Sequence, residues 1–180
     1  NEISNIFDME KCSKVNLQSI NDTLFMPGFN SKIDVLLNKI NSHEKILKLI
    51  AEKLSILVYQ TDQKKGIVAD LSQKDKFIHY VSVKHNDKEG YWFDITKKRG
   101  NKLMDKIKEQ KKPIITVKYN NYSIKFKTKD IDWNTKNKTN MKLFSPQIKN
   151  ISTKITAWKE KLSKLSKEIY LQEIDKLYQK

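Results

Sequence analysis

Three groups of residues in this 180-residue chain have types and spacings that could do chemistry. The acids Glu89, Asp94, Asp130 and Asp132 are the available members of a metal-dependent nuclease site, which needs two carboxylates converging on magnesium or manganese with a lysine nearby. None of the four has a partner that spacing assigns. His79 and His85 could ligate zinc only with a third ligand at suitable spacing, and there is none. The basic residues are the richest group. Lys97, Lys98 and Arg99 follow Thr96, a candidate helix cap, so they fall in a first turn where the helix dipole disfavours cations. An external anion would complete such a cluster, because free backbone N–H groups and side chains can share one phosphate. A solvated helix face is the plain alternative. Lys125, Lys127 and Lys129 alternate, which in a strand puts all three on one side with Ile124, Phe126 and Thr128 on the other.

The net charge is +15, and it is unevenly placed. Residues 64 to 142 hold 21 Lys and Arg against 9 Asp and Glu, a net of +12. A composition rich in Lys, Asn and Ile raises the lysine count everywhere, but it does not explain a shortage of acids confined to one region. Contact with a nucleic acid or another polyanion is the expectation. The single Cys12 cannot form an internal disulfide, which allows a reducing, intracellular setting. With no 18-residue apolar run, no membrane span is expected. A chain beginning with Asn reads as a fragment or processed form, so its start carries nothing about targeting.

Two long stretches must position the basic middle. Ser31 to Thr61 carries Ile33, Leu37, Ile40, Glu44, Leu47, Ala51, Leu54 and Val58 in a 4-3-4-3 seam without Pro or Gly. That predicts a helix of roughly 40 Å at about 1.5 Å per residue. Ser145-Pro146 is a start signal for a second helix, striped by Ile148, Ile151, Ile155, Trp158, Leu162, Leu165 and Ile169, then by Tyr170, Ile174 and Leu177. Two striped helices about 85 residues apart predict an antiparallel pair carrying the intervening chain as a module at its tip, with Leu47 and Leu54 facing Trp158 and Leu162. Two ordinary helices of one bundle are the alternative. The fold class expected is α+β: residues 1–29 close a helical region, 30–63 form the outgoing helix, 64–142 the module and 143–180 the returning helix.

Within the module, Phe77 to Lys84 reads as a strand. The loop from His85 to Gly90 turns it into Tyr91 to Thr96, the clearest hairpin in the sequence. Leu103, Met104 and Ile107 mark the buried side of a short helix after Thr96. Ile114 to Tyr119 and Tyr122 to Thr128 form a second hairpin around Asn120-Asn121. Asp130 to Lys142 is polar and reads as loop or irregular helix anchored by Trp133. Phe25 and Phe29 flank the Pro27-Gly28 turn as corner anchors, with Asn30 or Ser31 as cap.

Three stretches resemble parts of the MutS-type DNA mismatch-repair proteins, in the family's order. LFMPGFNSKIDVLLNKI, at 24–40, is similar to the turn and helix entering the lever, with its Asp-Xaa-Leu pattern. HYVSVKHNDKEGYWFDITKKRGNKL, at 79–103, resembles the clamp hairpin, whose Gly-aromatic-aromatic strand ends in Thr-Lys. FSPQIKNISTKITAWKEKLSKLSKEIYLQEI, at 144–174, resembles the returning lever helix. The resemblance implies a lever arm carrying a clamp that closes over duplex DNA and touches its backbone without reading bases. Carried over to this chain, Lys84, His85 and Lys88 lie in the clamp hairpin and Lys97 and Lys98 at its exit. The first lobe is short and the hairpin at 114–128 looks like extra material, as in a divergent viral or organellar branch.

The Gly-rich Lys-Ser/Thr phosphate loop of the family's ATPase is missing, and so is the Phe-Xaa-Glu wedge that reads mismatches. The resemblance therefore implies a non-catalytic region with no cofactor of its own; ATP and magnesium would serve the full-length protein. Double-stranded DNA is the implied partner, with a MutS-like dimer partner for the whole protein, no membrane, and a place inside the cell at DNA, whether cytoplasm, organelle, nucleus or viral factory. A coiled-coil interaction domain with a lysine-rich cap is the structural alternative.

Overall fold

The computed structural model of the chain describes residues 2–14, 23–64, 79–134 and 139–179. The fold is α+β. Its helices are α1 (Glu2–Ile6), α2 (Met9–Lys14), α3 (Ser31–Lys64), α4 (Lys97–Lys108) and α5 (Pro146–Tyr178), with one 3-10 turn, η1 (Thr128–Asp130). Its strands are β1 (Val81–Asn86), β2 (Gly90–Thr96), β3 (Ile114–Tyr119), β4 (Tyr122–Lys127), β5 (Asp132–Asn134) and β6 (Asn140–Phe144). Among the described residues no helix is long and apolar enough to cross a membrane. The chain divides into two compact units, residues 1–41 with 154–180, and residues 42–153. Both divisions fall inside α3 and α5 rather than at their ends. The ambiguous stretch from Gly66 to Lys76, and the first residues of the strand expected from Phe77, lie outside the described residues.

In the first unit the corner before α3 is aromatic. Phe7 bridges Phe25 through the backbone, their rings 5.3 Å apart, and Phe25 stacks on Phe29 at 5.1 Å. Tyr170 of α5 meets Phe7 edge-on at 5.7 Å. Asn30 is the cap of α3, its Oδ1 accepting the N–H groups of Lys32 and Ile33 at 3.0 and 3.3 Å. Cys12 is a free, half-buried thiol, and burial pushes its pKa up, with the Asp8 carboxylate adding to the shift. Lys39 Nζ lies 5.9 Å from the ring centre of Trp158. The register expected from the stripes sets Trp158 against Leu47 and Leu54, a pairing that would span the two units. Those leucines are wholly buried in the second unit. A repeat of 3.6 residues fixes which face of a helix is apolar; it is silent about sliding by one or two turns.

The second unit is built on a four-stranded antiparallel sheet in the order β1-β2-β6-β5. Register places Val81 beside Ile95, Phe93 beside Leu143 and Ile95 beside Met141, so one face of the sheet is apolar and buried. Against it packs α4, through Leu103 and Ile107, and the separate β3–β4 hairpin, through Phe126, whose ring meets Phe93 edge-on at 6.3 Å. Gly100 permits the close approach of α4: a Cβ there would collide with the Met141 sulfur.

Residues 42–59 of α3 bury a double stripe, Ser42 and His43, Ile46 and Leu47, Ile50 and Ala51, Leu54 and Ser55, Val58 and Tyr59, where a single seam was expected. The reason is visible in this unit: the β3–β4 tip reaches α3, with Asn120 donating to Ser42 Oγ and Tyr122 against His43 at 4.6 Å, while Val81 N–H donates to Ser55 Oγ. A helix covered from more than one side needs a wider apolar face.

The stretch from Asp130 to Lys142 corrects an expectation. Instead of loop or irregular helix it holds η1, β5 and the start of β6, and β6 is an interior strand paired with both β2 and β5. Met141 and Leu143 are buried and Lys142 lies between them, an alternation only five residues long. Ser145 then caps α5 as expected, its Oγ accepting Ile148 N–H at 3.1 Å.

Candidate nucleic-acid interface

Lys97 and Lys98 are exposed at the start of α4, which follows β2 without a loop and has no acid in its first turn. Thr96 is the cap residue by backbone conformation, although its hydroxyl makes no capping bond. The expected set of free amides is reduced, because Lys97 N–H donates to Thr139 O at 2.8 Å. Arg99 is set apart from the two lysines: its guanidinium lies over the ring of Tyr80 at 3.8 Å and it is half-buried. That stacking holds the guanidinium plane against an aromatic face and leaves Lys97 and Lys98 as the exposed pair.

The β3–β4 hairpin presents its outer face as the sequence implies. Lys125 and Lys127 are exposed, while Phe126 and Thr128 are buried and Ile124 is half-buried. Lys118 joins them, since register pairs Lys118 with Ser123, Thr116 with Lys125 and Ile114 with Lys127. All six residues of that face are exposed, and none is an acid. Lys118 was missed because alternation was read along the second strand only; the same pattern in the first strand, with Val117 buried beside it, carries the signal. Lys129 leaves this row, because the chain enters η1 at Thr128.

Lys84 and His85 part company as neighbours in a strand must. Lys84 is exposed on the face shared with Trp92, whereas the His85 ring lies 4.4 Å from Tyr91 on the other face. Lys88 is exposed in the β1–β2 turn. Lys97 and Lys88 thus flank opposite ends of β2, about 20 Å apart at roughly 3.3 Å per residue. Of the nine sequence-derived residues, exposure and register single out two pairs, Lys97 with Lys98 and Lys125 with Lys127.

The acids are engaged differently from the nuclease scheme. Asp94 accepts from the Asn140 amide at 2.9 Å, and Glu89 pairs with Lys142, whose ammonium also lies 4.1 Å over the Trp92 ring. Asp130 sits in η1 and Asp132 is exposed on β5. Among the described residues no three His, Cys, Asp or Glu side chains are grouped to hold a metal ion.

No family model matches the chain. Over 174 residues, 96% of its length, it is 27% identical to a protein of Acanthamoeba polyphaga mimivirus provisionally named as a DNA mismatch repair protein, a MutS homolog. The chain spans 14% of that protein's length. What the similarity supports is a mismatch-repair-related, MutS-like region.

Proposed function

We propose that the chain is the lever and clamp region of a MutS-like mismatch-repair protein, and that its second unit holds duplex DNA by contacts to the phosphate backbone. The observation that carries this reading is the acid-free outer face of the β3–β4 hairpin, with Lys118, Lys125 and Lys127 all exposed. The similarity to the mimivirus MutS homolog supplies the context of mismatch repair, and the exposed Lys97–Lys98 pair supplies a second contact point. Phosphate contacts of this kind position a protein without a sequence code. On this reading the region needs no cofactor; ATP, magnesium and a dimer partner belong to the rest of a longer protein acting at DNA inside the cell.

Fluorescence anisotropy across a salt series tests the reading. Each neutralised phosphate releases counterions, so the log-log slope should be near 0.9 per contact, or about 2.7 to 4.5 for roughly three to five phosphates. Matched and mismatched duplexes should bind alike. Replacing Lys118, Lys125 and Lys127 together by Ala should weaken every duplex and flatten the slope by about two to three. The same change at Lys45 and Lys48, exposed on α3, should do far less. Equal losses from both variants, or no binding at low salt, would sink the clamp assignment. Metal-dependent cleavage of the DNA, abolished by Asp94→Ala, would replace it with the nuclease.

A further inference from the structure

The outer face of the β3–β4 hairpin is laid out in cross-strand rows. Register sets Thr116 beside Lys125 and Lys118 beside Ser123, so two consecutive rows each hold one ammonium and one hydroxyl, in opposite order across the strands. The third row, Ile114 beside Lys127, has the ammonium alone. Directly opposite residues of an antiparallel pair have Cβ atoms about 5 Å apart, whereas neighbouring rows on one face are two residues, or about 7 Å, apart. The four side chains of the mixed rows are exposed, and among the described residues none of them makes a hydrogen bond or an ion pair. The rows are anchored from behind. Val117 and Phe126 are buried beneath the face, and the turn is tied to α3 by the Asn120 amide donating to Ser42 Oγ and by the Tyr122 ring against His43.

We infer that each mixed row holds one phosphate of the duplex, Lys125 with Thr116 on one and Lys118 with Ser123 on another. The inference rests on the clamp reading, which supplies the phosphates, and adds to it two hydroxyl residues and a pairing. Ser and Thr hydroxyls donate to phosphate oxygens as lysines do, and a phosphate has oxygens enough to accept from both at once. A lysine alone is a point charge on a flexible stem. A hydroxyl on a short stem, fixed by register beside it, gives the phosphate a defined seat. One phosphate group is smaller than the row separation of about 7 Å, so the two rows take different phosphates. Lys127, facing Ile114, contributes charge only. The two kinds of contact differ in their response to salt: an ammonium that neutralises a phosphate releases counterions, and an uncharged hydroxyl releases none.

Anisotropy of the full chain with duplex DNA across the same salt series tests this. Lys118→Ala and Lys125→Ala should each weaken binding and lower the log-log slope by about 0.9. Thr116→Val and Ser123→Ala should each weaken binding about two- to tenfold at every salt concentration and leave the slope unchanged. Ile114→Val, in the row without a hydroxyl, should bind as the parent chain does. Every substituted position is exposed, so the variants keep the fold. The pairing is read from two double variants. Thr116→Val combined with Lys125→Ala, within one row, should lose less than the product of the separate fold-losses, because the hydroxyl has nothing to hold once the lysine is gone; Thr116→Val combined with Lys118→Ala, across rows, should lose the full product. If the lysine variants lose affinity and slope while the hydroxyl variants bind as the parent chain, or if the two double variants do not differ in this way, the inference is overturned and the clamp reading stands. A parent chain that binds no duplex at low salt overturns both.

Discussion

Gly90 shows how one residue can tie a sheet to a helix. Its φ is +72°, a conformation that L side chains rarely adopt, and a Cβ there would run into Ser152 Oγ. The same Ser152 hydroxyl accepts Tyr91 N–H at 3.0 Å, and the Tyr91 phenol donates to Glu44. The Gly-aromatic pair read from the sequence as a clamp-hairpin feature therefore has a local physical cause: the glycine admits a serine, and the tyrosine carries the strand's attachment to two helices. Gly90→Ala should add backbone strain to a steric overlap and destabilise the chain by about 2–4 kcal/mol in chemical denaturation. Pairing it with Ser152→Gly should recover the steric part and leave the strain. Additive losses in the double variant would show that the contact is not what makes glycine necessary.

Elements were legible in proportion to their length and to how many neighbours cover them. The two long helices, the β1–β2 hairpin, α4 and the β3–β4 hairpin were all readable, because stripes, caps and a two-residue Asn turn act locally. Asn120 indeed has a φ of +49°. The strand β6 was not readable. Its alternation lasts five residues, and the Ser-Pro start signal of α5 directly behind it dominates the local pattern. Its importance comes from pairing with β2, which precedes it by more than forty residues, and no local rule reports that. The same limit hid the site: Lys118 and Lys125 become neighbours of one face only through register. Leu143 lies on β6 with no exposure, whereas Leu171 is 61% exposed on α5. If β6 is an interior strand, Leu143→Ala should cost about 2–5 kcal/mol and Leu171→Ala within about 0.5 kcal/mol. Similar losses at both positions, measured by urea unfolding, would remove β6 from the core.

The division into two units makes a prediction about how stability is distributed along single, uninterrupted helices. Of the eleven largest side chains that are essentially without exposure among the described residues, ten belong to the second unit, Ile33 being the exception. α3 takes part in both units, so its backbone hydrogen bonds are of one kind throughout while the burial around them changes. Residues 42–59 carry two buried stripes; residues 31–41 bury Ile33, Leu36 and Ile40 alone. Opening free energies in a folded chain run from near zero at fraying ends to the global value in the best-packed elements, and packing rather than helix propensity sets most of a helix's stability. Amide exchange should therefore be slowest in β2 and in residues 46–58 of α3, and faster in residues 35–41 of the same helix. It should be fastest within α5 from Leu171 onward, where no described residue is buried. Mass-spectrometric exchange on overlapping peptides would resolve these segments in one experiment. Equal protection of α3 from Ile33 to Val58 would mean that the helix opens as one piece and that the two units form a single cooperative body, whereas a step in protection near residue 42 would locate the boundary within the helix itself.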